Sequence, residues 1–157
     1  MPQNFNYGID KLSVGNAIAI GSGQIKGILG DGAVKKLNSS QRYVQHIVEN
    51  NKTVYGVNTG FGILATTKIS GEDTATLQHK ILQSHSVGVG EAIPAEIAKL
   101  MLITKVHALA QGYSGIRLET IERIRWHIEN DVLPVCRKKE VWVPQAIWLL
   151  LLICFCL

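Results

Sequence analysis

Within Tyr55-Gly56-Val57-Asn58-Thr59-Gly60-Phe61-Gly62 one side chain able to move a proton sits among three glycines. A phenol with an ordinary pKa of about 10 becomes a useful base only where neighbouring charge or donors lower that value, as catalytic sites arrange. Closely spaced glycines let backbone fold tightly over a small ligand, with Val57 and Phe61 as apolar walls, although a plain glycine-rich turn has the same composition. His85 follows at the end of an apolar-periodic stretch. A histidine so placed ordinarily caps the helix C-terminus or hydrogen-bonds at the surface. Lys105 and Arg117 have the charge to hold a carboxylate, but pairing on or between helices accounts for both.

The elements that must position these groups read as helices joined by loops, with little strand alternation, so the fold class expected is mainly α. Val34, Leu37, Val44, Ile47 and Val48 make one apolar stripe between Asp31 and Glu49, and Asn50-Asn51 stops that helix just before Tyr55. Ser70 followed by Asp73 resembles a cap for a second helix through Leu77, Ile81 and Leu82, with Gly88 and Gly90 breaking it after His85. A third helix is expected from Pro94 to Gly112, and a fourth carries Leu118, Ile121, Ile124 and Ile128 and ends before Pro134. The two loops of chemical interest thus hang from helix ends, a common way of presenting side chains to a site.

A chain of 157 residues with 46% hydrophobic content suits one domain or part of a larger one. Its net charge of +4 draws on Arg137, Lys138 and Lys139 near the C-terminus and forms no basic stripe, which argues against a nucleic-acid partner. Met1 to Lys11 is polar and lacks the apolar core of a secretory signal, so a cytoplasmic location is expected, and the sequons at Asn38 and Asn51 are coincidental. No cysteine precedes Cys136, which removes a disulfide framework or cysteine metal site from the earlier part, and no metal is expected. The apolar run Ile147 to Leu157 is short of the roughly 20 residues that span a bilayer, so no membrane partner is expected.

The Tyr55–Gly62 string resembles the inner-loop signature of the aromatic amino acid ammonia-lyases, in the branch of that family acting on histidine. Two further stretches resemble the family in the same order: Ser84-His85-Ser86-Val87-Gly88-Val89-Gly90-Glu91, and Ala108-Leu109-Ala110-Gln111-Gly112-Tyr113-Ser114-Gly115-Ile116-Arg117. The likeness runs from about Leu12 to Val135 and covers the N-terminal portion of a family member. It implies the helical ammonia-lyase fold, in which residues 1–135 form the lyase-like region. It also implies an assignment of roles: Tyr55 as catalytic base, His85 as the reader of the substrate side chain, and Gly56, Asn58, Thr59, Gly60, Phe61 and Gly62 as the active-site loop. His46, His79, His107 and His127 match no such position and are expected to be structural.

Members of the family form their electrophile, a methylidene-imidazolone (MIO), from an Ala-Ser-Gly tripeptide soon after the segment resembling Asn130 to Val135. This chain contains no Ala-Ser-Gly. Beyond Val135 its character changes abruptly: Cys136, Cys154 and Cys156 are all its cysteines, and Trp142 and Trp148 are two of its three tryptophans. The stretch Cys136 to Trp148 can be encoded so that one G restored before the Cys136 codon makes the reading V-P-E-K-G-S-V-G-A-S-G-D-L, similar to the MIO-forming motif. Part of that result is forced by the genetic code, since Trp142 followed by Val143 can give only glycine in the shifted frame. Residues 136–157 are therefore expected to be a frameshifted tail.

With the frame restored, the resemblance implies elimination of ammonia from L-histidine to trans-urocanate, the first step of histidine degradation, in a homotetramer whose sites combine several subunits. MIO would supply the electrophile that makes a weakly acidic β-proton removable by Tyr55. Without it no lyase activity is expected, and the fragment is expected to fold poorly and expose apolar helix faces. Two alternatives stay open: a phenylalanine or tyrosine ammonia-lyase or aminomutase, against which Ser84-His85 argues, and a small non-catalytic protein whose apolar tail binds a membrane or partner.

Overall fold

In the computed structural model the described residues are 4–50, 52–55, 57–59, 73, 76–77, 79–80, 83 and 88–140. Chain order is β1 (Asn4–Asn6), α1 (Val14–Gly21), β2 (Lys26–Ile28), α2 (Asp31–Glu49), β3 (Gly88–Ala92), α3 (Ala95–Leu109), α4 (Leu118–Glu129) and β4 (Arg137–Glu140). Helices dominate, as expected. Asp73, Thr76, Leu77, His79, Lys80 and Gln83 also have helical backbone, while the Ser70 cap expected for that helix lies outside the described residues.

The core gathers on α3, which is apolar nearly all round and buries Ala98, Leu102, Ile103, Val106 and Leu109. Against it pack α1, through Ala17 and Ile20, and α4, through Ile121, Ile124 and Ile128. On α1 the Ser13 hydroxyl accepts the Asn16 N–H at 3.2 Å, a side-chain N-cap that satisfies one of the free donors of the first turn. Helix α3 ends at Leu109, earlier than the Gly112 expected. Its apolar pattern runs on through Ala110, but Gly112, at φ +81°, turns the chain against Lys36 of α2.

Two corrections concern the sheet and the α2 stripe. Among the described residues there are two two-stranded sheets where little strand was expected: β1 pairs parallel with β2, and β3 pairs antiparallel with β4. Strands of three to five residues rich in Asn, Lys and Gly show no alternation in sequence, and only their distant partners define them. Gly88 and Gly90, read as helix breakers, lie within β3, and the pairing shifts register between Val89 and Ala92. On α2 the buried positions are Ala33, Leu37 and Ile47, whereas Val48 is 51% exposed. Neighbouring residues on a helix point about 100° apart, so Ile47 facing the core turns Val48 away. Apolar side chains are also exposed on other helices, including Val14 and Ile18 of α1 and Ile97 of α3.

The N-terminal segment is bound to the body by more than its strand. Tyr7 is buried against Phe5 in an edge-to-face contact with centroids 5.6 Å apart. Burial pushes its phenol up to about 12, with the Arg125 charge opposing and the Glu129 charge adding. Gly8 donates its N–H to Nδ1 of His107 at 3.3 Å, and His107 stacks obliquely on Phe5. Burial lowers the His107 pKa from its ordinary 6.5, with the Asp10 carboxylate opposing. A histidine held down in this way binds fewer protons folded than unfolded, so its contribution to stability is lost as the pH falls through 6.5 towards the lower folded value. Urea midpoints at pH 8 and pH 5 should therefore fall further for the parent than for His107→Gln, which keeps an acceptor but does not titrate. An equal fall in both would rule out His107 as the source.

Candidate functional site

The Tyr55 loop begins where α2 stops. Both the backbone and side-chain N–H groups of Asn50 donate to the His46 carbonyl, at 3.0 and 2.8 Å, which uses up a free carbonyl of the last turn. Lys52 N–H then bonds the Ile47 carbonyl at 3.2 Å, and the chain leaves the helix. Val54 accepts from the N–H groups of Val57 and Asn58 at 3.1 and 3.3 Å, so Tyr55 occupies a tight turn. Tyr55 is 62% exposed, whereas Asn58 and Thr59 are 8% and 3% exposed. The loop therefore leaves Tyr55 largely exposed and buries Asn58 and Thr59.

Of the expected loop residues, Tyr55, Asn58 and Thr59 are described. Gly56, Gly60, Phe61 and Gly62 lie outside the described residues, as does His85. The third matched stretch connects to the same helix: Gly115 N–H donates to Ser40 Oγ at 2.9 Å, and Gly115 sits against Val44. At 1.5 Å per residue these anchor points are about 9–15 Å along α2 from Asn50. One helix thus carries the Tyr55 loop at its end and seats the Tyr113–Ile116 segment along its side.

Of the cations weighed as carboxylate binders, Arg117 occupies the N-cap position of α4, and Lys105 lies part-buried on α3 with its pKa lowered by desolvation. The histidines expected to be structural include His107, which anchors Gly8, and His127, which is 2% exposed with Nδ1 2.8 Å from the Val132 carbonyl. Sequence reading missed Tyr7 and Arg125, which face a cavity of about 810 Å³ between α1, β2, α3 and α4. Among the described residues, none that lines it belongs to the Tyr55 loop. Arg125 is held there by Glu122 and Glu129 at 2.7 and 2.9 Å, spacings of three and four residues that a helical reading could have flagged. Among the described residues no helix is long and apolar enough to cross a membrane.

A family model described as aromatic amino acid lyase matches residues 12–140. The chain is 43% identical over 107 residues to a histidine ammonia-lyase of Vibrio cholerae, a match covering 68% of this chain and 21% of that protein. To a histidine ammonia-lyase of Shewanella sediminis it is 37% identical over 128 residues, covering 82% and 25%. The crystal structure of histidine ammonia-lyase from Trypanosoma cruzi superposes with a TM-score of 0.71 at 32% identity, over 80% of this chain and 24% of that one. The chain thus spans about a quarter or less of the length of these relatives.

Proposed function

The chain belongs to the aromatic amino acid lyase family, and on that premise we propose that it is the N-terminal part of a histidine ammonia-lyase that converts L-histidine to trans-urocanate and ammonia. The observation that carries the reading is the agreement between its histidine ammonia-lyase relatives and a loop that turns Tyr55 outward from the end of α2. In this reading Tyr55 removes the β-proton of the substrate, His85 hydrogen-bonds its imidazole, and Gly56 to Gly62 shape the cover that excludes water. More than half of Tyr55 meets solvent in this chain, so the remaining polypeptide has to supply the enclosing wall. The whole protein is a cytoplasmic homotetramer in this proposal.

The family's electrophile, MIO, cannot arise from the residues present, because the tripeptide that cyclises to it is absent. We therefore assign this chain no lyase activity of its own, and we place a lost base at about codon 136, with residues 136–157 read in the wrong frame. Strand β4 begins just beyond that point and is held to β3 by backbone pairing, which places weak demands on its side chains.

Two measurements test the proposal together. Resequencing the DNA from codon 130 onward should return a G near codon 136 and an open frame through Ala-Ser-Gly. The protein made from the restored frame should then produce urocanate from L-histidine, seen by its ultraviolet absorbance, while the 157-residue chain produces none. Turnover of phenylalanine or tyrosine in preference to histidine would overturn the substrate, and a confirmed shorter frame would overturn the lost base.

A further inference from the structure

Asn58 was grouped with the loop residues by its place in the sequence, and the structure ties its side chain into the loop itself. Its Oδ1 accepts the Val54 N–H at 2.9 Å, and its Nδ2 donates to the Lys52 carbonyl at 2.7 Å. Both bonds return to backbone on the far side of Tyr55, and the side chain is nearly sealed from solvent. An amide offers two donors and a two-lone-pair acceptor, and each end of Asn58 spends one bond on the loop itself.

These bonds join the turn to the helix. The Lys52 peptide is held at both ends, its N–H by the Ile47 carbonyl at 3.2 Å and its C=O by Asn58. The Val54 peptide groups are likewise taken up, N–H by Asn58 Oδ1 and C=O by the N–H groups of Val57 and Asn58. Tyr55 follows Val54 directly, so the direction in which it leaves the turn is set by a chain of bonds running back to Ile47, which is 6% exposed in the core. A base must be held to within a fraction of an ångström of the proton it takes, and a loop needs such bracing to hold it.

We infer that Asn58 is a positioning residue: its amide clips Val54 and Lys52 together across the turn and thereby aims Tyr55. The inference rests on the proposed role of Tyr55 for its catalytic meaning, while the clip itself is tested without reference to activity. Aspartate at this position keeps an acceptor for Val54 N–H and loses the donor to Lys52. Alanine loses both.

The experiment compares amide hydrogen exchange and the Tyr55 ring resonances in the parent chain, Asn58→Ala and Asn58→Asp. In Asn58→Ala the Val54 amide should exchange about tenfold faster, the net worth of one buried hydrogen bond. The Tyr55 resonances should shift while the amides of α3 and α4 keep their parent rates. Asn58→Asp should restore protection at Val54 and leave the Tyr55 resonances between those of the other two. An unchanged Val54 rate in Asn58→Ala overturns the inference, as does acceleration spread evenly through α3 and α4, which would show a general loss of stability. If Asn58→Ala fails to fold, Asn58→Asp decides alone: parent-like Tyr55 resonances in it overturn the inference. Failure of the Tyr55 reading shows up separately, as activity surviving Tyr55→Phe in the frame-restored enzyme.

Discussion

Tyr55→Phe in the frame-restored enzyme is expected to lower kcat for L-histidine by about 10²–10⁴-fold, the range that a positioned general base contributes. KM should change little, because the phenolic oxygen meets the β-proton in the transition state and adds little to ground-state binding. The loss should therefore appear equally in kcat and in kcat/KM. Tyr55 is 62% exposed and outside the core cluster, so removal of one oxygen there leaves the packing of α1, α3 and α4 intact. Circular dichroism and a parent-like melting temperature would confirm that activity is lost through chemistry. A variant retaining a tenth or more of parental kcat would remove Tyr55 from the role of base and return the loop to a structural one.

The second large effect concerns stability. Gly8→Ala is expected to cost about 2–4 kcal/mol, combining a strained backbone with a steric collision. Gly8 has φ +76°, and a Cβ there would run into the carbonyl and side chain of Ala110 at the end of α3. Neither side can give easily, because Ala110 is fully buried and Tyr7, immediately before, is 1% exposed. Gly23 provides the control: its φ is also +76°, but no atom lies within 4 Å of the added Cβ. Gly23→Ala should therefore cost only the backbone part, about 1 kcal/mol. Urea denaturation of the two variants separates the contributions, and equal midpoints would show that the close approach of Gly8 to α3 has no energetic consequence.

Both predictions mark the division between sequence and tertiary structure. The helices α2, α3 and α4 were legible because a buried helical face repeats its apolar residues every three or four positions, a local signal. Tyr55 and its glycines stood out as candidates for a similar reason, since residue type and spacing within one short string are also a local signal. The bounds of α2 agree with the sequence at both ends because Asp31 suits its first turn and Asn50 closes its last.

Tertiary structure alone decided what depends on residues far apart in the chain. Strands β1 to β4 exist through pairing with partners about 20 to 50 residues away, and short segments such as Lys26-Gly27-Ile28 carry no pattern that could announce them. Gly8 looked like any glycine until His107 and Ala110, a hundred residues on, came to lie against it. Asn58 looked like one more loop residue until its amide was seen to hold Lys52 and Val54. Sequence by itself determined which stretches are helical and which side chains are candidates for the chemistry, because periodicity and residue type are local properties. The fold decided how the candidate base is held and what each turn can tolerate, because bracing and close packing are made by groups that meet only when the chain has folded.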